Sequence, residues 1–218
     1  MMRPWETAAL SACRLQKPNK NAMFGFALKV TDRIRMGERQ MTVYCMNLKD
    51  NRDSARRNAD VELKFRTCLE ESIVAIGWAV PDAANTWEEY INISKPLHYG
   101  KGYSAAINNL QRMEKGDLVW VKNPVSKALY LVEITDDAPA VRNDLKELDI
   151  CGYRKGVFYP VNKAQRGKAL TERRLSAIGT LERVHKETRG DVCRETVRFL
   201  KKLKKAAKPA NSSVSQTP

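Results

Sequence analysis

Residues 113–135 read MEKGDLVWVKNPVSKALYLVEIT, and this stretch decides the fold. A helix ends at Gly116, because glycine readily adopts the left-handed conformation that closes helices. An apolar strand at 118–121 follows, and a polar turn at 123–127 leads into a second apolar strand at 128–135. The stretch therefore predicts a helix that feeds a β-hairpin.

The remaining apolar pattern alternates strands with helices. Upstream, the predicted elements are a strand at 41–48, a helix at 61–69, a strand at 73–78, a short helix capped by Asp82 and a helix at 103–113. Downstream, they are strands at 156–161 and 176–184, the latter closing a barrel, and a basic helix at 196–207. This order predicts an α+β fold, divided into an N-terminal extension at 1–40, a barrel at 41–184, and a basic helix with a disordered tail at 185–218.

Positive charge is concentrated in the last part of the chain. The 218 residues carry 39 Lys and Arg against 25 Asp and Glu, a net charge of +14, and the pI is near 9.7. Residues 1–153 contain 22 basic and 20 acidic side chains, a net of +2, whereas 154–218 contain 17 and 5, a net of +12. Such a surplus favours nucleic acid as the partner over an acidic membrane surface. A solvated cationic face without a specific partner is the competing interpretation.

Cysteine usage and hydropathy argue against several other classes. The five cysteines are scattered and odd in number, and with only two histidines they form no zinc-binding spacing. They are typical of reduced thiols in an intracellular protein. No apolar run approaches the roughly 20 residues of a membrane span, and the first residues lack a secretory pattern. We therefore expect a soluble, cytoplasmic protein with no cofactor, no bound metal and no membrane partner.

Two segments carry a resemblance to a known family, VAIGW at 74–78 and the helix–hairpin unit at 113–134. The order of elements over 41–184 resembles the PUA-like superfamily, particularly its EVE and YTH branches. The resemblance implies a small PUA-like β-barrel flanked by helices, in which Trp78 forms one wall of a cage for a modified base. The sequence continues with Ala79-Val80, where typical YTH domains have Ser-Thr.

Aromatic residues are the candidates for a base-binding pocket, since stacking contributes about 1–3 kcal/mol per base. The candidates are Trp78, Trp87, Tyr90, Tyr103 and Trp120. Trp87, Tyr90 and Tyr103 lie on the helices and the loop that would border the pocket. Trp120 is either a second wall or a core residue, because alternation puts it on the opposite face from Val119 and Val121. For each candidate, ordinary core packing is the competing interpretation.

Basic side chains are the candidates for backbone contacts, which position a nucleic acid without reading its sequence. They are Lys101, Arg166, Lys168, Arg173, Arg174, Lys201, Lys202, Lys204 and Lys205. Lys101 lies between two glycines, in a loop suited to approach a phosphate.

No catalytic residue is assigned from the sequence. His98 and His185 have no nucleophile partner in sequence, and neither Gly-x-Ser-x-Gly nor a P-loop occurs. The sequence thus predicts a nucleic-acid-binding protein that holds an unpaired or flipped base, modified or not, with single strands favoured and RNA slightly ahead of DNA. Two alternatives stay open. One is a nuclease or nucleic-acid-modifying enzyme using acids such as Asp136 and Asp137; the other is an interaction protein whose basic arm binds an acidic protein partner.

Overall fold

One mixed, curled sheet of seven strands organises the described part of the chain, residues 41–48, 61–80, 82–98, 100–177 and 179–207 of the computed structural model. The strands are β1 (Val43–Asn47), β2 (Ile73–Ile76), β3 (Leu118–Lys122), β4 (Leu129–Ile134), β5 (Ala140–Val141), β6 (Gly152–Val161) and β7 (Leu181–Arg183). The helices are α1 (Val61–Glu70), α2 (Trp87–Leu97), α3 (Lys101–Arg112), α4 (Glu172–Leu175) and α5 (Lys186–Ala207), with 3-10 turns at Lys146–Leu148 and Lys163–Gln165. The fold is α+β, as predicted, and none of the described helices is long and apolar enough to cross a membrane.

The predicted N-terminal extension at 1–40 and the predicted tail beyond 207 lie outside the described residues. The described residues all belong to one unit, which spans 40–218.

The strand order is β2-β6-β4-β3-β1-β7, and β5 pairs with β6. β1 and β3 run parallel, with Val43 opposite Leu118, whereas the other pairs are antiparallel. Within the described residues, β7 is three residues long and pairs with β1 alone, so it forms one edge of the sheet and β2 forms the other. The segment predicted to close a barrel therefore ends a curled half-barrel instead.

The two faces of the sheet bury different clusters, because side chains alternate along each strand. The inner face packs against α1, α2 and α3, and its cluster includes Val119 and Val121. The outer face packs against α4 and α5, and its cluster includes Trp120 and Phe199. The predicted alternation around Trp120 is thus confirmed.

Asp117 fixes the junction between α3 and the hairpin. Its Oδ1 accepts a hydrogen bond from the Thr42 N–H at 2.9 Å, and its Oδ2 accepts one from the Glu114 N–H at 3.1 Å. These bonds tie the start of β3 to the start of β1, its parallel partner. Gly116 has the predicted left-handed backbone, with φ of +88°, but α3 already ends at Arg112, so Gly116 closes a turn and not the helix.

α2 begins later than Asp82 predicts. Thr86 Oγ1 accepts from the Glu89 N–H at 3.2 Å, and Glu89 Oε2 accepts from the Thr86 N–H at 3.3 Å. This reciprocal capping box satisfies two backbone donors at once. The assignment of Asp82 as the N-cap is therefore wrong, and Thr86 takes that role.

The cysteines within the described residues are buried free thiols, as expected; they are Cys45, Cys68, Cys151 and Cys193. Burial raises the pKa of Cys45, Cys68 and Cys151 to about 12, so these three thiols stay protonated at neutral pH. They pack as small apolar side chains.

Candidate functional site

Trp78 has a left-handed backbone just beyond the end of β2. Its φ of +71° costs an L-residue about 1–2 kcal/mol and is rare for a bulky side chain. Two hydrogen bonds hold this conformation: the Trp78 N–H donates to Asp149 Oδ1 at 2.9 Å, and its carbonyl accepts from the Tyr90 hydroxyl at 3.2 Å. Strained backbone held by neighbouring elements is typical of functional sites.

A buried ion pair supports Trp78. Lys64 Nζ donates to Asp149 Oδ2 at 2.9 Å, and the two side chains are only 4% and 3% exposed. Gly77 permits the close approach, because a Cβ at this position would collide with the Asp149 carboxylate. Removing one partner of such a pair costs about 3–5 kcal/mol, since the other charge stays buried. The conformation of Trp78 is therefore held by contacts that are costly to lose.

Two tyrosines pack against the Trp78 segment from the helices. Tyr90 on α2 is fully buried, and its one hydroxyl proton is shared between the nearer Gly77 carbonyl, at 2.6 Å, and the Trp78 carbonyl. Burial raises the pKa of Tyr90 well above its usual value, so the hydroxyl remains a donor. Tyr103 on α3 meets Trp78 edge to face, with ring centroids 5.4 Å apart, and its hydroxyl bonds to Ser94 Oγ at 2.6 Å.

Trp87 joins the same cluster through Tyr90. The two ring centroids are 5.5 Å apart, and the Trp87 indole covers Gly152, where any Cβ would collide with it. Trp87 Nε1 is buried and has no hydrogen-bond partner among the residues that the structure describes. Trp87 is thus half-buried against the sheet, with its polar atom turned inward.

The structure brings four of the five predicted pocket aromatics together on the inner face: Trp78, Trp87, Tyr90 and Tyr103. Tyr90 and Tyr103 are buried supports, whereas Trp78 and Trp87 are both half-buried; because the Trp87 indole covers Gly152, Trp78 is the cluster's candidate binding residue.

Trp120 lies on the other face of the sheet. It is fully buried, its Nε1–H donates to Thr196 Oγ1 at 3.0 Å, and its ring stacks on Phe199 with centroids 6.1 Å apart. Of the two interpretations of Trp120, the core residue is correct. The sheet separates it from Trp78, and α5 covers it, so it is not a second wall of that site.

The predicted backbone-binding cations are spread over several surfaces. Those exposed to solvent are Lys101, Lys168, Arg173, Lys201, Lys202, Lys204 and Lys205, whereas Arg166 and Arg174 are half-buried. Arg174 forms a two-bond pair with Asp191, at 2.5 and 2.7 Å, which joins α4 to α5. Lys204 donates to Glu133 Oε1 at 2.7 Å. These two cations are therefore already neutralised within the protein.

α5 carries a cationic stripe, which we define as Arg194, Arg198, Lys201 and Lys205. These residues follow one another at intervals of four, three and four, so they lie on one side of the helix, and all are exposed. The opposite side is buried on the outer face of the sheet through residues that include Val192, Thr196 and Phe199. The sequence predicts this helix only from 196, which leaves Arg194 outside it, whereas Arg198 lies within the predicted helix but is not among the predicted backbone-binding cations. The apolar spacing from 192 to 203 was the signal that identifies the outward side.

The residues that hold Trp78, namely Lys64 and Asp149, are not among those that the sequence singles out. Asp149 is 71 residues from Trp78 in sequence, and no local pattern joins the two. His98 was noted only as lacking a nucleophile partner, yet its Nε2 lies 3.1 Å from the Ala79 carbonyl, and its ring is 6.1 Å from that of Tyr103. The glycine before Trp78 was the one available hint of a close approach.

Asp136, a candidate acid for the enzyme alternative, takes part in a structural network. Its Oδ1 accepts from Arg154 Nε at 2.8 Å, and its Oδ2 accepts from the Lys155 N–H at 2.9 Å. Asp137 is exposed. Within the described ranges, no group of three or more His, Cys, Asp or Glu is placed to hold a metal ion.

Comparison with known proteins leaves the site to be interpreted from its own geometry. No protein family, curated protein or solved structure matches this chain. The geometry consists of a half-buried tryptophan held in a left-handed conformation on the inner face, and a cationic stripe on the outer side.

Proposed function

We propose that this protein binds single-stranded nucleic acid, with an unpaired or flipped base against Trp78 and the strand's backbone along the cationic stripe of α5. The observation that carries the proposal is the left-handed Trp78, whose backbone is held by Asp149 and Tyr90 while the residue is only half-buried. The resemblance to PUA-like domains over 41–184 adds to it, because it assigns Trp78 to the wall of a base cage.

The physical argument for a base is that an aromatic face stacks with any base, for about 1–3 kcal/mol each. Extruding a base from a duplex costs a few kcal/mol, and the cost is least where the base is already unpaired. A residue whose backbone is fixed in advance loses little further backbone entropy on binding. Trp78 therefore suits an unpaired base, and we place RNA slightly ahead of DNA.

The positions of Trp78 and of the cationic stripe favour a flexible nucleic-acid strand as the ligand. Lys101 opens α3, two residues before Tyr103, and is the cation that we assign to a phosphate near the base. The stripe lies on the far side of the sheet from Trp78, so a strand that reaches both must pass around the protein. Duplex DNA has a persistence length of about 50 nm and resists such bending, whereas a single strand bends easily.

The base contact is tested by comparing a single-stranded oligonucleotide with an abasic strand of equal length. Wild-type protein should prefer the strand with bases by about tenfold, since one stack is worth about 1–3 kcal/mol. Trp78→Ala should remove this preference and keep the salt-dependent binding. Trp120→Phe is the matched control, since it changes a buried tryptophan and should preserve the preference in the folded fraction.

The backbone contact is tested by salt dependence. If about six phosphates are neutralised on a single strand, log K should fall with log salt at a slope of about −4. Lys201→Gln should reduce the slope by about 0.7, and Lys204→Gln should reduce it less, because Lys204 is already paired with Glu133. A flat salt response would exclude the proposal.

The two alternatives predict different results in the same assays. Cleavage or modification of the strand on adding a divalent metal would favour an enzyme. Retention of a cellular partner after nuclease treatment, with no binding to oligonucleotides at low salt, would favour a protein that docks an acidic partner.

A further inference from the structure

A cleft of about 330 Å³ lies at the carboxyl ends of β1 and β3. Part of its lining is apolar: Met46 and Ala177 are buried, and Pro124 is half-buried. Its volume is at the lower end of the usual range for ligand sites, about 300–1,000 Å³. Methionine packs well against flat rings, because its thioether is flexible and polarisable. The cleft therefore fits one small planar ring system.

This cleft is remote from Trp78 along the sheet. Lys122 pairs with Leu129, which pairs with Val161 at one end of β6, whereas Ile76 pairs with Gly152 at its other end. The ten residues of β6 rise about 3.3 Å each, so the two ends are about 30 Å apart along the strand. The cleft is therefore a separate site from the aromatic cluster.

The cleft borders α4, the neighbour of the helix that carries the cationic stripe. Two of its lining residues, Lys122 and Ser176, contact Glu172 at the start of α4. Arg174 and Asp191 join α4 to α5. A strand that follows the stripe therefore passes along the helix next to the cleft.

The charges at the cleft balance among the described residues. Lys122 and Lys127 are the cations of the lining. Lys122 is paired with the Glu172 carboxylate, and Glu62 accepts a hydrogen bond at 3.2 Å from Asn123, between two lining residues. Two cations against two carboxylates leave no formal surplus, which favours a neutral ligand over an anion.

The polar groups of the lining are mainly hydrogen-bond donors. Asn47 Nδ2 donates to the Ala177 carbonyl at 3.3 Å, and Ser176 Oγ donates to the Glu172 carbonyl at 2.8 Å. Each lysine ammonium has three N–H donors and no acceptor. Lys122 uses one on Glu172, and Lys127 uses one on the Pro124 carbonyl. The donors left over call for a ligand with two adjacent acceptors.

Lys127 occupies a backbone position that disfavours lysine. Its φ is +61°, in the left-handed region where glycine and asparagine are usual. The turn is closed around it, because the Lys127 N–H donates to the Asn123 carbonyl at 3.1 Å and the Asn123 N–H to the Ala128 carbonyl at 2.8 Å. Strain of this kind is typical of binding sites, and here it presents an ammonium group to the cleft.

We propose that this cleft is a base-reading subsite, which holds guanine or another 6-oxopurine with its O6 and N7 on the ammonium groups of Lys122 and Lys127. Among the four bases, guanine alone has two adjacent acceptors on one edge, and lysine is a common partner of that edge. Adenine and cytosine would direct an amino group at the ammonium groups instead. The base belongs either to a strand, which rests on the proposed function, or to a free nucleoside, which does not.

The first arm of the experiment uses the full-length protein and a single strand of uridines, about 12 nucleotides long. The strand carries one central guanine, adenine, hypoxanthine or 7-deazaguanine. All four are purine-like rings that stack similarly, so differences report the edge that is read. Guanine should bind about tenfold more tightly than adenine. Hypoxanthine should match guanine, because it keeps O6 and N7, and 7-deazaguanine should lie between guanine and adenine.

The second arm compares guanosine with adenosine by calorimetry. A preference for guanosine there assigns the subsite to free nucleosides as well, whereas a preference seen only in strands assigns it to a base held by its backbone. Either result supports the subsite.

Lys127→Met removes the ammonium group but keeps the apolar stem, so the preference for guanine over adenine should fall to about twofold or less. Lys122→Met should also reduce it, and denaturant unfolding checks that losing the ion pair with Glu172 leaves the protein folded. Lys95→Met is the matched control, since it removes an exposed lysine of α2 and should keep the preference.

No preference for guanine in either arm, or equal losses in Lys127→Met and Lys95→Met, would overturn the subsite. If guanine adds nothing while strand binding depends on Trp78, the subsite alone is wrong. If guanosine binds through Lys127 but no strand binds, the proposed function is wrong and the subsite stands.

Discussion

Trp78 and Trp120 are the same residue type on opposite faces of one sheet, and they differ in backbone conformation, burial and hydrogen bonding. Trp120 has a strand backbone, is fully buried, donates its indole N–H to Thr196 and stacks on Phe199 of α5. Trp78 has a left-handed backbone, is half-buried, and is held through its main chain by Asp149 and Tyr90. In Trp120 the indole is hydrogen-bonded and fully buried under α5; in Trp78 hydrogen bonds hold the backbone, and the ring meets Tyr103 of α3 edge to face while the residue stays half-buried. Backbone conformation and burial therefore distinguish a core residue from a candidate binding residue, although both are tryptophans.

The largest expected effect is that of Trp120→Ala. Truncating this buried ring should cost about 3–5 kcal/mol, because it empties the contact between the sheet and α5. Denaturant unfolding measures the loss. Binding of any nucleic-acid strand should fall only in proportion to the folded fraction. An unchanged free energy of unfolding would mean that α5 does not depend on this contact.

Thr196→Val tests the polar part of the same contact. The substitution keeps the shape but removes the acceptor of the Trp120 indole, and leaving that buried donor unpaired should cost about 1–3 kcal/mol. Thr188→Val, at an exposed position of the same helix, should have little effect on the free energy of unfolding. Equal effects from the two variants would show that the hydrogen bond adds nothing.

Glycine and alanine should rank in opposite orders at the two tryptophans. At position 78 the left-handed backbone favours glycine, so Trp78→Gly should be more stable than Trp78→Ala by about 1 kcal/mol. At position 120 the strand disfavours glycine, and Trp120→Gly should be less stable than Trp120→Ala by about 0.5–1 kcal/mol. The same order at both positions would contradict the left-handed conformation of Trp78.

The smallest expected effect concerns the ion pair between Arg174 and Asp191, which joins α4 to α5, at low pH. The hydrogen bonds from Arg174 lower the pKa of Asp191 from 3.8 to about 2. A lowered folded-state pKa stabilises the protein above pH 4, and this contribution is lost as the pH falls through about 2. Wild type should therefore melt slightly above Arg174→Gln at pH 7, and the two melting temperatures should converge near pH 2. A constant difference across this range would mean that the pair does not titrate with folding.

The two tryptophans also mark what the sequence alone could predict. Alternation assigned Trp120 correctly to the face opposite Val119 and Val121, because strand periodicity is local. It did not say what covers that face, because the covering residues, which include Leu175 of α4 and Phe199 of α5, are distant from β3 in sequence. The left-handed Trp78 was beyond prediction, because its conformation depends on Asp149, which is distant in sequence. Gly77 was the only local sign, and a glycine before a tryptophan has many explanations.

The half-barrel was likewise only partly predictable, because local patterns identify a hairpin but not strand partners that are distant in sequence. The hairpin of β3 and β4 was read correctly from its polar turn. β7 was expected to close a barrel, but strand partners are set by the whole fold, and it forms an edge next to β1 instead.

The parallel pair of β1 and β3 has a consequence for synthesis on the ribosome. β1 lies between β3 and β7, so both of its partners are made after it, and its first residue pairs with Leu118, 75 residues further on. At about 5–20 residues per second, β1 waits about 4–15 s for its first partner, and longer for β7. The hairpin of β3 and β4, in contrast, forms within microseconds of leaving the exit tunnel. The nascent chain therefore carries β1 as an unpaired apolar strand while its partners are still being synthesised. In this interval, binding of a chaperone to β1 would protect the chain from aggregation most.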